Sequence, residues 1–184
     1  MNTLKTMLMA LALIAAPIAI HAQAPTEVPA AKATDLDQKY ATDLLKAGAD
    51  APDITLNTID GKPFALKDLR GRYVVLDFWA SWCGPCRAEM PNVKAAYEKY
   101  KGKGFNIVAL SFDNKLESWT KAIEDMQMPW IHLSDLKGWK TVAGQIYGVN
   151  AIPASFLVDP NGTIIAADLR GEKLEAKLKE VYGE

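Results

Sequence analysis

The chain has 184 residues, 49% of them hydrophobic and 23% charged, which fits one globular domain with something small at an end. A formal net charge of −1 leaves no basic footprint, so nucleic acid is not an expected partner. Both cysteines lie in a single Cys-x-x-Cys segment, which excludes a scaffold held by several long-loop disulfides.

Lys5 precedes an uncharged apolar run from Met7 to Ile20, and small residues follow at Ala22 and Ala24. The run falls short of the roughly 20 residues that span a bilayer, so residues 1–22 read as a secretory signal peptide. Cleavage after Ala22 is preferred, because a cut after Ala24 would leave Pro25 beside it. An uncleaved N-terminal anchor is the alternative. Cleavage after Ala22 removes Lys5 and no other charged residue, leaving a weakly acidic, soluble, exported chain. Residues 23–49 form a leader, rich in Ala, Pro and Thr up to residue 34. Leu36, Tyr40 and Leu44 recur at helical spacing, which predicts a short amphipathic helix over 35–47, stopped at Gly48. A solvated spacer is the other reading.

The compact domain is expected over 50–184. Ile54 to Leu56 and Pro63 to Ala65 flank Asp60-Gly61, a hairpin signal. Leu66 to Leu69 suits one helical turn, closed by Gly71. Tyr73 to Trp79 is a continuous apolar strand, as expected where both faces of a sheet are covered. A helix follows from Pro85 to Tyr100, with a kink expected at Pro91. Phe105 to Phe112 is the next buried strand, Leu116 to Met126 a helix, and Trp130 to Leu133 a short strand. Trp139 to Tyr147 reads as one helix ended by Gly148. Ala154 to Asp159 and Thr163 to Asp168 form a second hairpin around Pro160-Asn161-Gly162, and Leu174 to Tyr182 is a closing helix. Strand–helix alternation followed by a hairpin predicts an α/β fold: a mixed central sheet with helices on both faces.

The chemistry sits in Trp82-Cys83-Gly84-Pro85-Cys86. A loop this short gains little from cross-linking, which favours a pair that opens and closes over a purely structural disulfide. Cys83 falls where a strand ends and a helix begins. The partial positive charge of a helix N-terminus favours thiolate over thiol, which makes Cys83 the expected nucleophile. Pro85 suits the first helical turn. Cys86, three residues on, can attack a mixed disulfide on Cys83 and release the substrate. Arg87 adds a nearby positive charge. A zinc site needs about four ligands, and after signal cleavage only His132 joins the two cysteines as a soft ligand. Covalent haem needs Cys-x-x-Cys-His, and Arg87 stands at the histidine position. No metal or other cofactor is expected.

Asp77 lies six residues before Cys83, inside an apolar run. Burial would raise its pKa, and a raised acid beneath the pair could take and return the proton of Cys86. An acid that reaches solvent or caps a neighbour is the alternative. Glu89, three residues after Cys86, is a candidate for the same relay, or a solvated helix-face glutamate. Trp82 is placed to cover Cys83 and touch substrate, whereas Trp79, Trp119, Trp130 and Trp139 read as packing residues. Ile152-Pro153 puts a proline at a strand entrance, where a cis bond typically serves a turn or a function.

Asp77-Phe78-Trp79-Ala80-Ser81-Trp82-Cys83-Gly84-Pro85-Cys86, with Ile152-Pro153 and the run from Phe156 to Gly162, resembles the thioredoxin superfamily. Within it the chain is most similar to the exported TlpA/ResA-like branch, which includes AhpC/TSA-like redoxin domains. The resemblance covers residues 50–182. It implies a thioredoxin-like fold with an N-terminal hairpin and an inserted strand–helix segment around residues 112–135. It also implies attack by Cys83, resolution by Cys86, a buried acid at Asp77, and a cis Pro153 facing the disulfide. The backbone of Ile152 would pair with an extended substrate segment.

The function implied is an exported thiol-disulfide oxidoreductase, monomeric, reducing protein disulfides with electrons from a membrane thiol donor. Apocytochrome c is one implied client. Two alternatives belong to other classes. A thiol peroxidase of the AhpC/TSA type normally has a threonine shortly before its cysteine, where Ala80-Ser81-Trp82 stand here. A non-catalytic binding module would not need the intact cysteine motif.

Overall fold

The computed structural model describes residues 44–184. The expected signal peptide and residues 35–43 of the expected leader helix lie outside them. Residues 44–47 are a bend, an irregular stretch and the start of a turn rather than the end of a helix. Tertiary pairing competes there: Leu45 N–H donates to the Tyr147 carbonyl (3.3 Å) and Gly48 N–H to the Ile164 carbonyl (2.8 Å).

A small antiparallel hairpin comes first, β1 (Thr55–Asn57) with β2 (Pro63–Ala65). A 3-10 turn over Leu66–Leu69 leads into the main sheet. Its five strands are β3 (Tyr73–Trp79), β4 (Phe105–Ser111), β5 (Ile131–Leu133), β6 (Ala154–Val158) and β7 (Ile164–Ala167), in the order β5-β4-β3-β6-β7. β3, β4 and β5 run parallel, while β6 and β7 are antiparallel to their neighbours. This is the mixed sheet that the order of elements predicts. Ala49 and Ala51 exchange backbone hydrogen bonds with Ile164 and Gly162, so the leader's end lies along β7 and covers part of that edge.

The helices are α1 (Gly84–Tyr100), α2 (Leu116–Asp125), α3 (Val142–Tyr147) and α4 (Glu172–Tyr182). α1 continues through Pro91, which cannot supply the amide that the Arg87 carbonyl would otherwise take. The single helix expected over Trp139 to Tyr147 is two pieces. A 3-10 turn spans Gly138–Lys140, Thr141 is extended, and α3 starts at Val142. The Asp135 carboxylate accepts the Val142 N–H (3.1 Å), which gives α3 its start.

β3 is the centre of the core, and every residue from Val74 to Trp79 is buried. Its two faces carry different chemistry because side chains alternate along a strand. Phe78 on one face meets Phe112, Tyr147 of α3 and Phe156, with ring centroids at 6.2, 5.6 and 5.7 Å. Asp77 and Trp79 point to the other face, towards α1. Phe78→Ala is expected to cost about 3–5 kcal/mol of unfolding free energy. A urea titration reads it as a lower midpoint at unchanged slope. A loss below about 1 kcal/mol would mean that neighbouring rings refill the space.

Candidate active site

β3 ends at Trp79 and α1 begins at Gly84, so a short turn carries Cys83 to the helix N-cap. The Cys83 backbone there is extended (φ −81°, ψ 101°), and its sulfur accepts the Cys86 N–H at 3.2 Å. Cys83 and Cys86 form a disulfide, S–S 2.01 Å. Cys83 keeps 5% exposure against 1% for Cys86, so the outer sulfur is the one an incoming thiol or disulfide can meet. The helix N-terminus turns unpaired N–H groups and positive potential on that sulfur. Such surroundings lower a thiol's pKa.

β6 delivers the opposite wall. Its antiparallel register pairs Phe78 with Ala154, so Pro153 sits one step further on, beside the end of β3. The Ile152–Pro153 bond is cis. The Ile152 carbonyl oxygen lies 3.9 Å from Cys83 Sγ, across 69 residues of sequence.

Asp77 is 6% exposed, and its Oδ2 is buried with no hydrogen-bond partner among the described residues. Its register partner on β6, Ser155, is occupied elsewhere: the Ser155 hydroxyl donates to the Leu169 carbonyl and accepts the Leu169 N–H, both at 2.8 Å. Burial pushes the Asp77 carboxyl from 3.8 up to about 7, and the nearby Glu89 charge adds to the shift. Glu89 is half-buried rather than a freely solvated helix-face residue. It accepts the Gly171 N–H (2.6 Å) and the Asn92 amide (3.1 Å), tying α1 to the start of α4.

Two neighbours of the site escape a reading by sequence. Asp113, 1% exposed, accepts the Ser81 N–H (2.9 Å), the Ser81 hydroxyl (2.6 Å) and the Ser111 hydroxyl (2.8 Å). The available signal is its position two residues past the end of β4, the kind of strand end where open α/β sheets build their sites. Trp139, taken as a packing residue, is instead 51% exposed and lies 6.1 Å from the ring of Trp82, itself 55% exposed. Trp79 is fully buried, as its apolar run predicts. The sequence-predicted set therefore divides in space. Cys83, Trp82 and Ile152 line one surface cleft, and Cys86 is buried behind Cys83. Asp77 and Glu89 interact on the α1 side of the sheet.

Known proteins match this arrangement. The AhpC/TSA family profile matches residues 47–167. A thiol-disulfide oxidoreductase ResA of Bacillus thuringiensis subsp. konkukian is 35% identical over 147 residues, covering 79% of this chain and 83% of that one. A ResA of Bacillus anthracis is 36% identical over 140 residues, covering 74% and 79%. The crystal structure of the thioredoxin domain of a Bacteroides vulgatus thiol-disulfide oxidoreductase superposes with a TM-score of 0.70 at 36% identity, covering 74% of this chain and 98% of that one.

The shift of Asp77 sets a stability profile. A carboxyl raised from 3.8 to about 7 binds its proton more tightly in the folded state. Its contribution is present in full below about pH 4 and is lost as pH rises through about 7. The size is on the order of 4 kcal/mol. Asp77→Asn is expected to flatten that slope and to stabilise the protein above pH 7, which denaturant titrations at pH 4.5 and about pH 8 compare. Equal pH slopes in both proteins would mean that Asp77 is not the buried titrating acid.

Proposed function

The chain belongs to the AhpC/TSA family, in its TlpA/ResA-like branch of the thioredoxin superfamily, and on that premise we propose how this thiol-disulfide oxidoreductase works. The reduced Cys83 thiolate attacks one sulfur of a client protein's disulfide. The client S–S bond breaks, a mixed disulfide forms on Cys83, and the first client sulfur leaves as a thiolate. Asp77 then takes the proton of Cys86. The Cys86 thiolate attacks Cys83 Sγ, the mixed disulfide breaks, and the second client sulfur leaves. Two electrons pass to the client, and the Cys83–Cys86 disulfide remains. Glu89, the half-buried acid whose charge acts on Asp77, would pass that proton on towards solvent.

The observation that carries this reading is the graded access of the pair: Cys83, 5% exposed, lines the open cleft beside the Ile152 carbonyl, and Cys86, 1% exposed, lies behind it. Trp82, Ile152 and Pro153 would hold an extended client segment, with the Ile152 carbonyl accepting a client N–H. We place the protein in the periplasm as a reductase, with a membrane thiol donor upstream and a client such as an apocytochrome c. Support comes from the Met7 to Ile20 run and from Gly84-Pro85, a dipeptide like that of reducing members. Among the described residues no helix is long and apolar enough to cross a membrane. Ala80-Ser81-Trp82 before Cys83 weigh against a peroxidase within the same family.

Cys86→Ser should leave mixed disulfides standing on Cys83, and the captured proteins identify the clients. An exported compartment that yields no Cys83-linked adduct would falsify the mechanism. The potential of the pair decides its direction, since a value near about −120 mV belongs to a strong oxidant and would sink the reductase reading. Resolution of a preformed mixed disulfide should slow as pH falls through about 7, where Asp77 becomes protonated. Asp77→Asn should slow that step by roughly 10² or more. A stopped-flow rate with no pH dependence between 5 and about 8 would remove Asp77 from the proton path.

A further inference from the structure

We propose that Trp139 determines client specificity: with Trp82 it forms an uncharged subsite for a large apolar side chain next to the client's reacting cysteine. The inference rests on the dithiol mechanism above and adds a substrate class to it.

Trp139 is exposed at a place where its own neighbours hold it still. Its ring stands edge-on against Phe112, centroids 4.9 Å apart and planes at 67°, and Phe112 is a core residue. The rest of the indole faces outward and meets Trp82 at a tilt of 49°. A tryptophan kept only for packing would be expected to bury most of its surface. This one leaves about half its area in water beside a reactive sulfur, next to a second half-exposed tryptophan.

One residue braces both indoles. The Asp113 side chain holds the backbone N–H and hydroxyl of Ser81, the residue before Trp82. The Asp113 backbone carbonyl accepts the N–H of Gly138, the residue before Trp139, at 3.3 Å. Gly138 itself is left-handed (φ +57°), a conformation that glycine adopts without strain. The relative setting of the two rings is therefore built by hydrogen bonds that converge on the buried Asp113.

Between them lies a cleft of about 410 Å³, lined by residues 82–85, Trp139 and residues 150–152. That volume falls within the range of ligand pockets, roughly 300–1,000 Å³. None of the lining residues is charged, so a charged occupant would meet no opposite charge there. Cys83 forms part of the lining. Any client whose sulfur joins Cys83 must therefore thread the residues flanking that sulfur past the two rings. The occupant is the client chain itself, and the chemistry of the walls selects an aromatic or large aliphatic side chain.

The test uses the full chain, reduced, and two disulfide-linked peptides that are identical except for tryptophan or serine beside the cysteine. The wild type is expected to favour the tryptophan peptide about tenfold or more in kcat/KM, the scale of burying one large apolar side chain. Trp139→Ala should bring the ratio to within about twofold of unity, and Trp139→Phe, which keeps a ring, should retain most of it. The ratio is taken within each variant, so general damage to the fold or to the cysteines cancels. A ratio unchanged in Trp139→Ala, or no preference in the wild type, overturns the subsite and leaves the dithiol mechanism standing. Reduction of neither peptide overturns both. A kcat/KM that falls as protein concentration rises would assign the patch to a second copy of this chain, and would overturn the proposal as well.

Discussion

The register that β3 keeps with β4 on one side and β6 on the other brings three distant chain segments together at one end of the central strands. Trp79 pairs with Ser111, which puts Asp113 beside Ser81 just past the ends of β3 and β4. Phe78 pairs with Ala154, which puts Pro153 and the Ile152 carbonyl beside Cys83. A slip of one residue would turn Asp77 to the Phe78 face and move both neighbours out of line. Burial of every residue from Val74 to Trp79 specifies the register, because a slip would break the ring contacts around Phe78. Core packing and site geometry are thus consequences of the same pairing.

Asp77 is the exception that the core has to absorb. A carboxyl in the middle of a buried strand, without a hydrogen-bond partner for Oδ2, destabilises the fold in its charged form. The strands that carry it hold Leu76, Phe78, Trp79 and Val108, each with essentially no exposure. Their burial, at about 1.5–3 kcal/mol for each large side chain, is enough to offset a local cost of several kcal/mol. Glu89 adds to that cost, yet it also fastens α1 to Gly171 at the start of α4. The residue that sharpens the shift therefore also holds the helix carrying Cys86.

Much of this was legible in the sequence, for identifiable reasons. The apolar run ending at Trp79, the Cys-x-x-Cys spacing at a strand–helix junction and the acid within the run are local patterns, and each survives in the structure. The approach of Ile152 to Cys83 is set by long-range pairing, so residue pattern alone could not place it; only the family resemblance implied it. Local periodicity predicts helix as far as residue 47, and over 44–47 backbone pairing with Tyr147 and Ile164 outweighs it. Trp139 was misread because an apolar residue ahead of a helical pattern looks like its first buried turn. The Gly138 N–H goes instead to Asp113, and the segment becomes a 3-10 turn that holds the ring at the surface. Asp113 carries no motif, and its role depends on contacts with residues 32 positions away.

The depth of Asp77 also has a chemical reason in the proposed mechanism. A surface aspartate has a pKa near 3.9 and is a weak base towards a thiol near 8.5. Proton transfer between groups so far apart is uphill by more than four units. Raising the acid to about 7 closes most of that gap, while leaving a useful ionised fraction at neutral pH. The same shift could not be reached at the surface, where water screens both the burial effect and the charge of Glu89. The buried strand that sets the register is therefore also the medium that gives the base its strength. Substitutions that loosen the core around β3 would weaken the base before they disturb the cysteines.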